Sequence, residues 1–325
     1  MGSRIVGSGS YVPDRCVTNK DLERMVDTSD EWIVRRTGIR ERHLLEADED
    51  PSKMGLAAAK AACADAGVSP SVIDLFVVAT NFPDMICPGS SPFIASGLGL
   101  DQVPFFDLKA GCSGFVYGLA VADGLIRAGM YRHVLLLGSE ALSRVTDWSD
   151  RKTCVLFGDG AGAVLLEAGR QDEGVLGSAI FGDNDKAMLL HMPAGGTKEP
   201  ASNSTLESGG HFLKMEGAGV YRSAVPMMAS ATRSALAAAS LDLKDVDWII
   251  PHQANIRIID SLGLRLGVER DRIITNLDRV ANTSTASIPI ALDEARKDGR
   301  IKSGDVVVMT AFGAGVTYGA VVVRF

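Results

Sequence analysis

Two similar α/β halves, with helices packed between and around two layered sheets, are the architecture this sequence predicts. Three observations carry the expectation. The runs Leu75–Ala79, Val134–Leu137 and Val306–Met309 are almost continuously apolar, as strands covered on both faces are. Segments of the first half recur in the second in the same order. Each half also closes on a glycine-rich stretch that runs into apolar sequence, as a tight final hairpin would.

The elements follow in order. "VIDLFVVATN" (Val72 to Asn81) comes after one alanine-rich helix, and "DVDWIIPHQAN" (Asp245 to Asn255) comes after another, "SAVPMMASATRSALAAAS". "CSGFVYGLAVADGLIRAGMYRHVLLLGSE" starts at Cys112 and "NTSTASIPIALDEARKDGRIKSGDVVVMTAFG" at Asn282, with Gly129 and Gly299 each seventeen residues on. "FGDGAGAVLLEAG" from Phe157 is echoed by "FGAGVTYGAVVVRF" from Phe312. Three pairs in one order imply a duplicated unit of roughly 155 to 170 residues, built of helix, strand, helix, strand and hairpin. The halves are expected at residues 1–170 and 171–325. Between them "HMPAGGTKEPASNSTLESGG" (His191 to Gly210) reads as a polar loop.

Composition narrows the function classes. At 325 residues, with 46% apolar and 22% charged residues, the chain is an ordinary soluble globular protein with a sizeable core. Its net charge of −7 argues against nucleic acid or an anionic membrane as the main partner. An anionic ligand must be met by local basic groups. Five scattered cysteines without a CxxC pair fit a reducing compartment and disfavour a disulfide framework or a zinc site. Cys16, Cys63 and Cys154 read as small buried residues. "MGSRIVGSGSYVP" has no basic n-region or apolar h-region, so a cytoplasmic location is expected.

In "DLKAGCSGFVYGL" (Asp107 to Leu119) one cysteine stands between glycines ahead of a helical pattern. Gly111 suits a tight turn and Ser113 a helix cap. Cys112 is then at a helix N-terminus, where the macrodipole and free N–H groups favour thiolate. A buried structural cysteine fits the local sequence equally well. The repeat adds weight to a nucleophile. With the halves related by a two-fold, the helix N-termini at Cys112 and Asn282 face one another, and His252 ends the strand equivalent to Leu75–Ala79. Trp32 and Arg36 lie at i, i+4 and offer an aromatic plane and a cation, although an exposed helix of mixed charge reads the same. "FGDGAGA" lacks the spacing of a dinucleotide loop, so its glycines are read as packing sites and Asp159 as structural.

"AGCSGFVYGL", "PHQANIRI", "NTSTASIPIAL", "FGDGAGAV", "FGAGVTYG" and "TSDEWIVRRTGIRERH" together resemble the β-ketoacyl-[acyl-carrier-protein] synthase III family of the thiolase superfamily. The resemblance spans essentially the whole chain. It implies a thiolase-like fold, a homodimer, and Cys112, His252 and Asn282 as the catalytic triad. It also implies an acyl-CoA substrate with no resident cofactor or metal, and malonyl-[acyl-carrier protein] as the second substrate. By the same resemblance Thr28, Trp32, Arg36, Arg151 and Asn255 line the coenzyme A entrance. Arg257 would meet the carrier protein, supported by Gln253, Ala254, Asn255 and Ile256, with Arg222 where the family often has lysine. Cys87 and Phe312 would bound the primer pocket. The residue before Pro88 reaches across the dimer in the family and is often phenylalanine, so Cys87 implies room for branched or longer primers, unless Phe82, Met85 or Ile86 refills the space.

The implied chemistry suits these residue types. A thiolate attacks the acyl-CoA thioester and leaves an acyl-cysteine. His252 and Asn282 are donors suited to the enolate oxygen that forms on decarboxylation. Backbone N–H groups of Cys112 and Ala314 would hold the oxyanion of the condensation. Ala314 replaces a glycine common in the family, which matters only if the position needs positive φ. Two other classes stay in view: a related acyl-cysteine enzyme of secondary metabolism and, from the glycines alone, an NAD-linked oxidoreductase. A non-catalytic scaffold is disfavoured by the intact triad.

Overall fold

A computed structural model describes residues 2–325. The first half runs β1 (Gly2–Tyr11), β2 (Cys16–Thr18), α1 (Asn19–Leu22), α2 (Asp30–Thr37), β3 (Glu41–His43) and α3 (Ser52–Asp65). It continues through β4 (Leu75–Ala79), α4 (Ser91–Leu98), β5 (Phe105–Leu108), α5 (Gly114–Arg127), β6 (His133–Ala141) and β7 (Asp159–Gly169). The second half runs β8 (Gly174–Gly182), β9 (Leu190–His191), α6 (Asn203–Glu207), β10 (Lys214–Met215), α7 (Gly217–Ala238) and β11 (Trp248–Pro251). Then come α8 (Ile256–Leu266), α9 (Leu277–Val280), α10 (Ser287–Lys297), β12 (Val306–Gly313) and β13 (Thr317–Arg324).

The echo in the sequence is visible as topology. One sheet has the order β1-β7-β6-β4-β5, and the other, read from its far end, is β8-β13-β12-β11. In both, the first three strands are antiparallel neighbours and the next pairing is parallel. The place of β5 in the second sheet is held by a remnant. Ile273 bridges Ile249 in parallel, and the Ile274 N–H donates to the Ile249 carbonyl at 2.9 Å.

The apolar strands are apolar on both faces because helices cover both. Phe115, Val116, Leu119, Ala122 and Ile126 of α5 and Ile288, Ala291 and Leu292 of α10 fill the space between the two sheets. Ala58 and Ala62 of α3 and Ile94 of α4 cover the outer face of the first sheet. Met228 of α7 and Leu262 of α8 cover the second. Each large side chain removed from water in these layers contributes about 1.5–3 kcal/mol. The layering puts the N-termini of α5 and α10 at the centre of the molecule. The "FGDGAGA" glycines serve packing, as expected. A Cβ at Gly162 would lie 2.7 Å from the Ile290 nitrogen, so α10 can rest directly on β7. Asp159 accepts from the Leu45 and Ser143 amides.

Three expectations change. Cys63 and Cys154 are buried, but Cys16 is exposed, because β2 and β3 form a separate two-stranded ribbon at the surface. That ribbon brings Cys16, Glu41 and His43 within 4.8 Å of one another, although the scattered sequence positions suggested no ligand cluster. The stretch His191–Gly210 is not wholly loop, since Ser202 caps the short helix α6 by accepting from the Thr205 amide. No helix among the described residues is long and apolar enough to cross a membrane.

Candidate active site

Cys112 immediately precedes the N-cap of α5, Ser113. The Ser113 hydroxyl does not cap the helix. It donates to the Ala110 carbonyl at 2.9 Å and meets Thr317 Oγ1 at 2.6 Å, fastening the cysteine turn to the last hairpin. Gly111 has φ +55, and a Cβ there would lie 2.4 Å from the Ala314 nitrogen. A Cβ at Gly313 would lie 2.2 Å from the Cys112 nitrogen. Two glycine backbones therefore stack where side chains cannot fit, and the Cys112 and Ala314 amides lie on adjacent turns. Among the described residues neither amide hydrogen has a backbone acceptor. Ala314 is not among the positive-φ residues, so alanine fits there without strain.

Asn282 is held by the FGDG turn: its N–H donates to the Leu156 carbonyl, and its carbonyl accepts from the Gly158 N–H, both at 3.0 Å. Its Oδ1 accepts from the Ser284 N–H at 2.9 Å, which leaves Nδ2 as the free donor. His252 follows β11 and is buried. Its Nδ1 meets Ser287 Oγ at 2.7 Å. The Gln253 N–H donates into that same oxygen, so the hydroxyl proton turns toward Nδ1 and Nε2 carries the imidazole hydrogen. Burial pushes the His252 pKa down to about 4. The site thus holds two neutral donors, an amide and an imidazole.

The thiol departs from expectation. Burial pushes Cys112 up to about 11, and the Ser284 hydroxyl, 3.3 Å from Sγ and able to donate to the thiolate once it forms, opposes the shift. The resting group is a thiol.

Cys112, His252, Asn282 and Phe312 share the floor of a cavity of about 590 Å³, and Trp32, Arg36, Arg222, Ala254, Asn255 and Arg257 stand around its wall and mouth. The Arg36 and Arg151 guanidinium groups lie 5.6 Å and 5.1 Å from the Trp32 ring. Asn255 caps α8 through the Arg257 N–H at 2.9 Å and donates to the Arg36 carbonyl at 3.0 Å, tying two helix ends into one rim. The Arg257 guanidinium lies over Tyr221. Lys152 also lines the mouth and was missed, although it follows Arg151 directly in the sequence.

Other expected residues lie elsewhere. Gln253 is fully buried and bonds Pro251, Ile274 and Asn276, so it cannot touch a carrier protein. Ile256 packs on the Ile39–Ile259 cluster. Thr28 is outside the cavity wall, with a buried hydroxyl that has no partner among the described residues. Cys87 is exposed on the loop before α4 and does not reach the cavity of its own chain. Glu140, Ser284 and Ser287 escaped the sequence reading. The signals were an acid inside the apolar run "HVLLLGSEA" and the hydroxyl-rich "NTSTAS".

Residues 106–184 match the family described as 3-oxoacyl-[acyl-carrier-protein] synthase III, and residues 236–325 match its C-terminal part. The β-ketoacyl-[acyl-carrier-protein] synthase III of Caldanaerobacter subterraneus is 46% identical over 325 residues, covering 100% of this chain and 98% of the relative. The crystal structure of the 3-oxoacyl-[acyl-carrier-protein] synthase III of Aquifex aeolicus superposes with a TM-score of 0.92 at 40% identity, over 100% of both chains. A priming β-ketosynthase of a polyketide biosynthetic pathway is 39% identical with a TM-score of 0.92, over 99% of this chain and 96% of its own.

Proposed function

Because this chain belongs to the 3-oxoacyl-[acyl-carrier-protein] synthase III family, we propose that it is the condensing acyltransferase that starts type II fatty-acid synthesis. It moves a short acyl group from acyl-CoA to Cys112 and joins it to malonyl-[acyl-carrier protein]. The products are coenzyme A, CO₂ and 3-oxoacyl-[acyl-carrier protein]. The reading is carried by one observation: Cys112, His252 and Asn282 share a cavity whose mouth holds Trp32 and Arg36.

Each residue has a task. Cys112 Sγ adds to the thioester carbon, and coenzyme A leaves. As malonyl carboxylate departs, negative charge grows on the thioester oxygen, where His252 Nε2–H and Asn282 Nδ2–H donate without reorganisation. The carbanion then attacks the acyl-cysteine, whose oxygen is received by the Cys112 and Ala314 amides. Trp32, Arg36 and Arg151 receive the nucleotide end of coenzyme A by stacking and charge. Arg257 and Arg222, both exposed, meet the acidic carrier protein.

A homodimer is supported by β5, an edge strand that leaves Phe105 and Phe106 45% and 38% exposed. Such an edge calls for a cover, and the Cys87 loop, with Ile86 88% exposed, projects beside α4. In a dimer Cys87 would close the neighbouring primer pocket. All five cysteines are free, in keeping with a cytoplasmic reaction. A second reading, priming of a polyketide pathway, is favoured by the likeness to the priming ketosynthase.

Intact-mass spectrometry after incubation with acetyl-, butyryl- and isobutyryl-CoA tests the scheme. One adduct is expected with all three, absent in Cys112→Ala, and Cys87→Phe should lose the larger primers by about 10- to 200-fold. Sedimentation at the mass of two chains is expected alongside. An adduct that survives Cys112→Ala sinks the assignment, and a wild type that takes only acetyl-CoA, unchanged in Cys87→Phe, sinks the pocket.

A further inference from the structure

The proton on the Cys112 thiol needs a destination, and the cavity floor supplies one. We propose that Ser284 relays this proton to Glu140 during acyl loading, with Glu140 acting only through Ser284. This rests on the reading of Cys112 as nucleophile.

Ser284 Oγ lies 3.3 Å from Cys112 Sγ and 3.2 Å from Glu140 Oε1. A hydroxyl has one hydrogen, so it can serve only one of these neighbours at a time. In the resting state the thiol donates to Ser284 Oγ and Ser284 donates to Glu140. After transfer both bonds reverse. Asn81 Nδ2 donates to Ser284 Oγ at 3.3 Å and to Glu140 Oε1 at 2.5 Å, holding the two oxygens together in either state.

Two features are costly without such a task. Glu140 is a carboxylate inside a strand, almost fully buried, and no cation pairs with it among the described salt bridges. Burial pushes it up to about 7 against the bonds from Asn81, Ser284 and Phe82, so it can both take and return a proton near neutrality. Ser284 has φ +51, a left-handed conformation that side chains avoid. Its N–H bond to Asn282 Oδ1 fixes it there, with the hydroxyl between sulfur and carboxylate. The other ionisable groups nearby are accounted for. His252 is neutral above about pH 4, Asp159 on β7 is bound to Leu45 and Ser143, and Lys109 lies over the Phe82 ring.

The step balances. As Sγ bonds to the thioester carbon, the S–H bond breaks, its proton goes to Ser284 Oγ, and the Ser284 hydroxyl proton goes to Glu140. When the adduct collapses, the bond to the coenzyme A sulfur breaks and that sulfur keeps the electron pair. The proton returns from Glu140 through Ser284 to it. Free coenzyme A leaves as thiol.

Two lesser roles for Glu140 predict otherwise. It accepts from the Asn81 and Phe82 amides, so it could merely fasten the loop after β4, and then Ser284 would be dispensable. As a fixed charge it raises the thiol pKa, and then its removal would make Cys112 more reactive. The test follows acetyl loading of Cys112 by quenched-flow mass spectrometry, with acetyl-CoA, from about pH 5 to about pH 10. Wild type is compared with Glu140→Gln and Ser284→Gly; glycine tolerates positive φ, and circular dichroism checks each fold. We expect the wild-type rate to rise through an inflection near neutrality and then level off. Both variants should lose that inflection, and both should load on the order of 100-fold more slowly at neutral pH. The relay is overturned if Ser284→Gly keeps the wild-type rate and profile, or if Glu140→Gln loads faster. If Cys112 alone fails to load in wild type, the nucleophile assignment fails and takes the relay with it. A wild-type profile in both variants refutes the relay and leaves the nucleophile standing.

Discussion

At His252, one buried ring links catalysis to stability. Its role as a donor needs a neutral imidazole, and burial secures that by lowering its pKa to about 4. The unfolded imidazole takes up a proton near pH 6.5, whereas the folded one waits until about pH 4. The unfolded state therefore binds more protons between those values, and stability falls as the pH falls through that window. The full loss is about 3 kcal/mol, of which about 2 kcal/mol is spent by pH 5. Glu140 works in the opposite sense: its carboxyl, raised to about 7, supplies stability at low pH that is lost as the pH rises. Comparing wild type with His252→Asn isolates the imidazole, since Glu140 is common to both. In urea unfolding, the variant should gain about 2 kcal/mol on wild type between pH 7 and pH 5. A gap that does not move with pH would mean the imidazole is not held neutral.

Among the elements, the turn between β12 and β13 does more than reverse the chain. Gly313 lies against the Cys112 amide so closely that a Cβ would approach it to 2.2 Å. Gly313→Ala must therefore shift the nucleophile turn, and misplacing reacting groups by about 1 Å can cost on the order of 100-fold in rate. Gly124, exposed in the last turn of α5 with nothing within 4 Å of its would-be Cβ, is the matched control. Gly124→Ala should leave loading of Cys112 unchanged and raise stability by about 0.5–1 kcal/mol. Acyl-transfer rates and thermal unfolding of both variants check the pair. Wild-type loading in Gly313→Ala would show that the turn yields instead of the nucleophile.

For the whole molecule, charge is unevenly placed. A chain of net charge −7 repels an acidic partner at long range, yet the mouth of the cavity gathers Arg36, Lys152, Arg222 and Arg257. Local basic groups at a rim act mainly on encounter rate and are screened by salt within about 8–10 Å. Arg257→Glu should then lower kcat/KM for malonyl-[acyl-carrier protein] several-fold at low salt, and the deficit should shrink as salt rises. Loading from acyl-CoA should change little, because Trp32, Arg36 and Arg151 would still receive its nucleotide end. Equal losses with both substrates, or no salt dependence, would remove Arg257 from carrier-protein docking.

The sequence alone determined the repeat and the apolar strands and singled out Cys112 as a candidate, because each is written in local order. Periodicity of two or of continuous burial, glycine at a turn, and a cysteine ahead of an amphipathic helix need no knowledge of distant contacts. The matching strand orders of the two sheets follow directly from the three echoes read along the chain. The polar environment is not written that way. Ser284 meets Cys112 across 172 positions and Glu140 across 144, so neither contact leaves a local trace. The same non-locality misled the reading of Gln253, whose neighbours His252 and Arg257 face the cavity while its own amide turns inward to Ile274 and Asn276. It also misled the reading of the thiol. A helix N-terminus is a sequence property, but its effect on Cys112 depends on how much water the surrounding layers exclude. Only the tertiary structure decided how far desolvation raises the thiol, because burial is summed over every element that packs around the sulfur.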